Sequence, residues 1–253
     1  MWDGTAHYAL QLHLARATLL GRPCRLAGLV WAGSIINSMP VLLLGGASGV
    51  YSADIKPSTA LNAPYVLVPI AYLISILTPK SPGAVSQDAG GRTVGPVGPS
   101  TYAWAGAHAA AIGIHSWRAI VVLGSRAPLA LWWVSHVDPV LGDVTRPSFG
   151  FVRVQILVFF FYYIPFHSWA VYSLLVPSST KTAAGRQRLA TWATFFAGAY
   201  AQAQATSGGA ACLKWVGFEP LAWQLVPTAG SALSFALVLM PALFALRCCR
   251  AAA

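Results

Sequence analysis

Six long stretches of this 253-residue chain contain no Asp, Glu, Lys or Arg: 26–53, 57–79, 93–117, 154–180, 189–213 and 220–246. A helix rises 1.5 Å per residue and needs about 20 mainly apolar residues to cross the hydrocarbon of a bilayer, so each stretch is long enough to span. The chain is 57% apolar and only 9% charged, whereas soluble domains carry roughly 25% charged residues. Six acidic and sixteen basic residues cannot cover a water-soluble body of this length. The fold class that follows is all-α: a polytopic transmembrane bundle of about six spans, each satisfying its own backbone polar groups.

The net charge of +10 invites a nucleic-acid reading, but the basic residues are scattered singly between spans instead of forming a stripe. Topology accounts for them better. Arg16, Arg22, Arg25, Lys80, Arg92, Lys181, Arg186, Arg188, Arg247 and Arg250 fall on one side of an even-numbered set of spans, and Lys56, Arg126, Arg146 and Lys214 on the other. The positive-inside rule then places both termini in the cytosol. Residues 1–15 have neither a basic start nor a continuous apolar run, so insertion is expected to rely on the spans themselves.

Residues 79–101 hold nine Gly or Pro and read as a flexible linker. The expected divisions are a partial or interfacial segment at 1–25, two transmembrane helices at 26–78, the linker, a four-helix unit at 102–247, and a cytosolic tail at 248–253. Leu67-Val68-Pro69 and Leu225-Val226-Pro227 hint at an internal repeat, which chance explains as well as duplication does.

The run Trp31-Ala32-Gly33-Ser34-Ile35-Ile36-Asn37-Ser38-Met39, followed by Gly49-Val50-Tyr51, Ile55-Lys56-Pro57 and Leu61-Asn62-Ala63-Pro64-Tyr65, resembles the transmembrane 6 superfamily. Trp132-Trp133, Asp138-Pro139-Val140-Leu141 and Pro147-Ser148-Phe149-Gly150-Phe151 resemble the wider EXPERA-domain group, which includes the sigma-2 receptor and the emopamil-binding sterol isomerase. Superfamily members are understood as tandem EXPERA domains. The chain looks like the second half of the first and the whole of the second, and the missing N-terminal helices depart from the family pattern, as in a fragment, a truncated gene model or a diverged relative. The resemblance implies an endoplasmic reticulum or ER–Golgi intermediate membrane and a role in triglyceride, lipoprotein or sterol metabolism.

Polar groups inside spans are costly and mark candidate sites. Trp104, His108, His115 and Arg118 share one helix face, with the two imidazoles about 10 Å apart along the axis, too far to hold one metal ion. Gln155, Phe159, Tyr163 and His167 recur every four residues, either as a cavity wall or as an aromatic surface with a Tyr163–His167 hydrogen bond. Ala193, Ala197, Ala201, Ala205 and Gly209 form a small-residue ladder for close packing, beside Gln202 and Gln204. Asp138 matches the EXPERA Asp-Pro pattern and also suits a turn, while Asp54 and Glu219 suit helix caps. The ligand-pocket candidates are therefore His108, His115, Asp138, Gln155, Tyr163, His167, Gln202 and Trp223. Cys248 and Cys249, between Arg247 and Arg250, suit S-palmitoylation.

Catalysis is not expected. The sterol isomerase of the resembled group is understood to use membrane-embedded His and Glu side chains, and here no histidine has an acid four residues onward. The sequence lacks GxxxxGK and GxSxG, and no metal or cofactor is expected. The expected function is lipid or sterol binding and regulation, with membrane lipids, sterols and membrane proteins of lipid metabolism as partners and no nucleic acid. The alternatives are a sterol double-bond isomerase using His115 or His167 with Asp138, and a small lipid or solute transporter.

Overall fold

The computed structural model describes residues 3–47, 62–78, 99–138, 141, 150–176, 182–217 and 229–252, and among these every regular element is a helix. A π-turn, Asp3–His7, leads into α1 (Tyr8–Leu19), and α2 (Arg25–Gly46) and α3 (Ala63–Leu77) follow. Next come α4 (Pro99–Val122), α5 (Pro128–His136), α6 (Gly150–Val158) and α7 (Ile164–Leu175), and then α8 (Ala183–Gly217) and α9 (Ala229–Ala252). Each charge-free window contains one long helix, with α6 and α7 serving as a single rod. The protein is an all-α helical membrane protein.

Arg25–Gly46, Arg153–Leu175 and Ala232–Arg250 are long and apolar enough to span on their own, and Pro64–Leu77 is apolar but shorter. The helices α4 and α8, of 24 and 35 residues, are long enough but less apolar. Their position explains this. The helix α8 packs along α2 on one side and α9 on the other, and α4 lies against α7, so both spend their polar side chains on protein neighbours. Lipid sees the outer faces instead: Phe235, Leu239, Leu243 and Leu246 line one exposed stripe of α9.

Local chemistry sets the breaks. Gly124 ends α4 at φ +91°, and the amide of Ser125 reaches back to the Ile120 carbonyl, a left-handed termination that glycine accepts without strain. Arg153 Nε then donates to the free Val122 carbonyl at 2.9 Å. The rod of α6 and α7 is joined by a π-turn, Phe159–Tyr163. Pro165, at the start of α7, has no N–H to give the carbonyl four residues back, and the helix widens into the π-turn ahead of it.

Glycines outside the alanine ladder bring two helices into backbone contact. A Cβ on Gly33 would lie 1.9 Å from the Phe195 carbonyl oxygen, and one on Gly198 would lie 2.2 Å from that of Val30. The helices α2 and α8 therefore touch backbone to backbone, whereas Ala197 and Ala201 of the ladder are only half-buried. The two-helix and four-helix pieces share one core, in which Leu29, Ile35 and Met39 of α2 meet Tyr163, Phe166, Phe195 and Tyr200. Short α5 has no counterpart among the charge-free windows.

Candidate functional site

A polar chain runs through this apolar core. His108 of α4 and His167 of α7 share a hydrogen bond between their Nδ1 atoms at 2.7 Å. Tyr200 of α8 bridges two imidazoles through its hydroxyl, with His167 Nε2 and His115 Nε2 each 2.6 Å away. His108 and His115 are two helical turns apart on α4, and His167 fills the interval, stacked on His115 at an interplanar angle of 13°. A second set lies against the first. Tyr163 Oη donates to Asn37 Oδ1 at 3.0 Å, Asn37 Nδ2 donates to Gln202 Oε1 at 2.7 Å, and the Tyr163 and Tyr200 rings meet edge to face at 4.0 Å. All seven residues are buried.

The bonding order has two solutions. The Tyr200 hydroxyl donates only one proton, to His167 or to His115, and accepts from the other. If it donates to His167, that ring carries its proton on Nδ1 and donates to His108, leaving an N–H at His108 Nε2 and a bare lone pair at His115 Nδ1. If it donates to His115, the pattern reverses. His108 Nε2 and His115 Nδ1 are buried and have no hydrogen-bond partner among the described residues, so the chain ends in one donor and one acceptor whichever order holds.

His108, His115, Tyr163, His167 and Gln202 thus converge. The Tyr163–His167 bond, one of the two readings of that face, does not form, because the π-turn sends Tyr163 toward α2 while His167 faces α4 and α8. Gln155 is buried beside α4, neither amide atom has a partner among the described residues, and no hydrogen bond joins it to the network. Asp138 is engaged elsewhere: Arg118 Nη2 donates to its Oδ2 at 2.6 Å and to Ser234 Oγ at 2.8 Å, inside the protein. Trp223, Asp54 and Glu219 lie outside the described residues, as does the side chain of Gln204. Cys248 is buried in the core, and Cys249 is half-buried, 3.5 Å from Thr194 Oγ1.

Two network members escaped the sequence reading. Asn37 is an amide inside a charge-free window, and Tyr200 sits among small residues; a polar atom mid-span was the available signal for both. His7, outside the network, also escaped it: the residue bonds Ser34 of α2 from the turn before α1.

Residues 1–86 match the family described as Transmembrane 6 superfamily member 2-like, transmembrane domain. Over 215 residues the chain is 31% identical to Transmembrane 6 superfamily member 2 of Homo sapiens, covering 83% of this chain and 54% of that protein. The Rattus norvegicus protein of the same name is 32% identical, with 83% and 53% covered. The chain spans about half the length of the curated relatives it matches. No solved structure matches it. With the family's transmembrane domain matched at one end and the similarity running on through most of the remaining helices, the chain belongs to the transmembrane 6 superfamily.

Proposed function

We propose that this protein is a multi-pass membrane protein of the endoplasmic reticulum or the ER–Golgi intermediate membrane that binds a sterol or acyl lipid within its helix bundle. In this reading it regulates lipid handling and catalyses no reaction, with both termini cytosolic and with lipid-metabolic membrane proteins as partners. The observation that carries the reading is that four buried atoms, His108 Nε2, His115 Nδ1 and both amide atoms of Gln155, have no hydrogen-bond partner among the described residues, in a core built largely of aromatic and aliphatic side chains. An apolar ligand with a hydroxyl or ester group supplies the partners that such atoms lack, and apolar sites with a few placed polar groups are how small molecules are oriented.

The test is photo-crosslinking in membranes with a diazirine sterol and a diazirine fatty acid. Labelled peptides should map to α4, α7 and α8, and His115→Leu with Gln155→Leu should lower the yield. Labelling no greater than that of an unrelated six-span protein would refute the proposal.

One observation favours a second reading, double-bond isomerisation. That reaction adds a proton at one carbon and removes one at another, and the chain His108–His167–Tyr200–His115 presents a donor at one end and an acceptor at the other. Asp138 takes no part, being paired with Arg118. Expression in cells lacking sterol isomerase decides it: failure to restore isomerised sterol removes this reading and leaves the binding reading in place.

A further inference from the structure

We infer that the groove between the N-terminal ends of α2 and α8 and the C-terminal end of α9 binds the phosphate headgroup of an anionic glycerophospholipid. Arg25, Leu26, Leu29, Gln187, Thr191 and Cys249 line it, with a volume of about 200 Å³. That is below the roughly 300–1,000 Å³ of sites that enclose a whole ligand, so the groove takes a headgroup and leaves the acyl chains in the bilayer.

Three observations set the chemistry. Arg25 is held in place, its Nη2 donating to Thr191 Oγ1 at 2.8 Å while that hydroxyl donates to the Gln187 carbonyl, and the guanidinium keeps further donors for a phosphate. Arg25 opens α2, whose N-terminus has no side-chain cap and no acidic residue in its first turn, so its free amides add positive potential. Arg22, Arg186, Arg188 and Arg250 crowd the same end, and Asp138, the one carboxylate whose side chain is described, is paired with Arg118 and Ser234 far along the chain. Arg247, by contrast, is turned toward α4, where it donates to the Ser100 carbonyl and Thr101 Oγ1.

Beneath the guanidinium, Leu26 is 57% exposed and Leu29 is buried, which gives the first carbons of a lipid an apolar wall beside the charge. A cation over an apolar wall at a span terminus matches an amphiphilic anion, and a free anion would leave the wall unused. The groove lies at the helix ends, apart from the buried imidazoles, so the photo-labelling experiment does not bear on it.

The test is mass spectrometry of the intact full chain released from neutral detergent, titrated with dioleoyl phosphatidic acid, dioleoyl phosphatidylcholine or inorganic phosphate. Phosphatidic acid should bind about tenfold tighter than phosphatidylcholine, the size of one charge-assisted contact. Arg25→Gln should remove that preference and Arg25→Lys should restore part of it. Leu26→Trp, at an exposed position that leaves the fold intact, should block binding by filling the groove, and Arg126→Gln, at an exposed arginine outside the groove, should leave it unchanged. The inference is overturned if the two lipids bind equally, if Arg25→Gln and Leu26→Trp both keep the preference, or if Arg126→Gln weakens binding as much as Arg25→Gln. Competition by inorganic phosphate at concentrations equal to the lipid would overturn the lipid as occupant.

Discussion

Gly33→Ala tests the contact on which the site is built. The new Cβ would start 1.9 Å from the Phe195 carbonyl oxygen and needs 3.0–3.4 Å, so α2 and α8 must part by about 1.1–1.5 Å. The obstacle is backbone and cannot rotate away. One turn further along α2, the Asn37–Gln202 bond of 2.7 Å would open to about 4 Å, past the range in which a hydrogen bond survives. Overpacking costs about 1–3 kcal/mol, and an interhelical bond in a membrane protein is worth about 0.6 and at most about 1.7 kcal/mol. The expected destabilisation is about 2–4 kcal/mol. It can be read from reversible unfolding in mixed micelles followed by circular dichroism. Gly113→Ala is the counter-experiment: nothing lies within 4 Å of its Cβ, so it should stabilise α4 by about 0.5–1 kcal/mol through helix propensity alone. If both variants shift stability in the same direction, the backbone contact between α2 and α8 is wrong.

Three further outcomes follow from the same geometry. Tyr200→Phe strips the bridging hydroxyl from two buried imidazoles and should cost about 1–3 kcal/mol in that assay, whereas Tyr172→Phe, at an exposed position, should stay within about 0.5 kcal/mol of the parent. Arg118→Leu alone strands a buried carboxylate and should cost about 3–5 kcal/mol; adding Asp138→Leu should recover part of the loss, and strict additivity would deny the ion pair. Of the two cysteines near the end of α9, half-buried Cys249 should react with maleimide faster than buried Cys248. Any hydroxylamine-sensitive acyl label should survive Cys248→Ser and disappear in Cys249→Ser.

The polar residues divide by how far they could be read in advance. His108, His115, Gln155, Tyr163, His167 and Gln202 were visible because an ionisable or amide group inside a charge-free window is rare and costly. Which of them meet was not visible, since helical spacing relates residues on one helix and is silent about the neighbour. His167 between His108 and His115 depends on how α7 docks on α4, and Tyr200 enters only because α8 passes at that depth. Register also misled: intervals of four assume an unbroken α-helix, and the turn Phe159–Tyr163 has π geometry. Of the small-residue ladder, Ala193 is buried in the core and Ala197 and Ala201 are half-buried, while α2 and α8 touch backbone to backbone through Gly33 and Gly198, which the ladder pattern did not single out.

What the sequence determined alone was the solvent and the element type. Long windows without charge exclude a water-covered surface, and in lipid only hydrogen-bond-closed helices or barrels are stable, so window length and composition sufficed. The tertiary structure decided which polar groups are partners, which helices touch backbone to backbone and where an arginine faces a groove. Those outcomes depend on contacts between residues up to 166 positions apart, such as Arg25 with Thr191. Such pairings are set by packing between helices, where apolar burial offers little direction and shape and hydrogen bonding choose the neighbour.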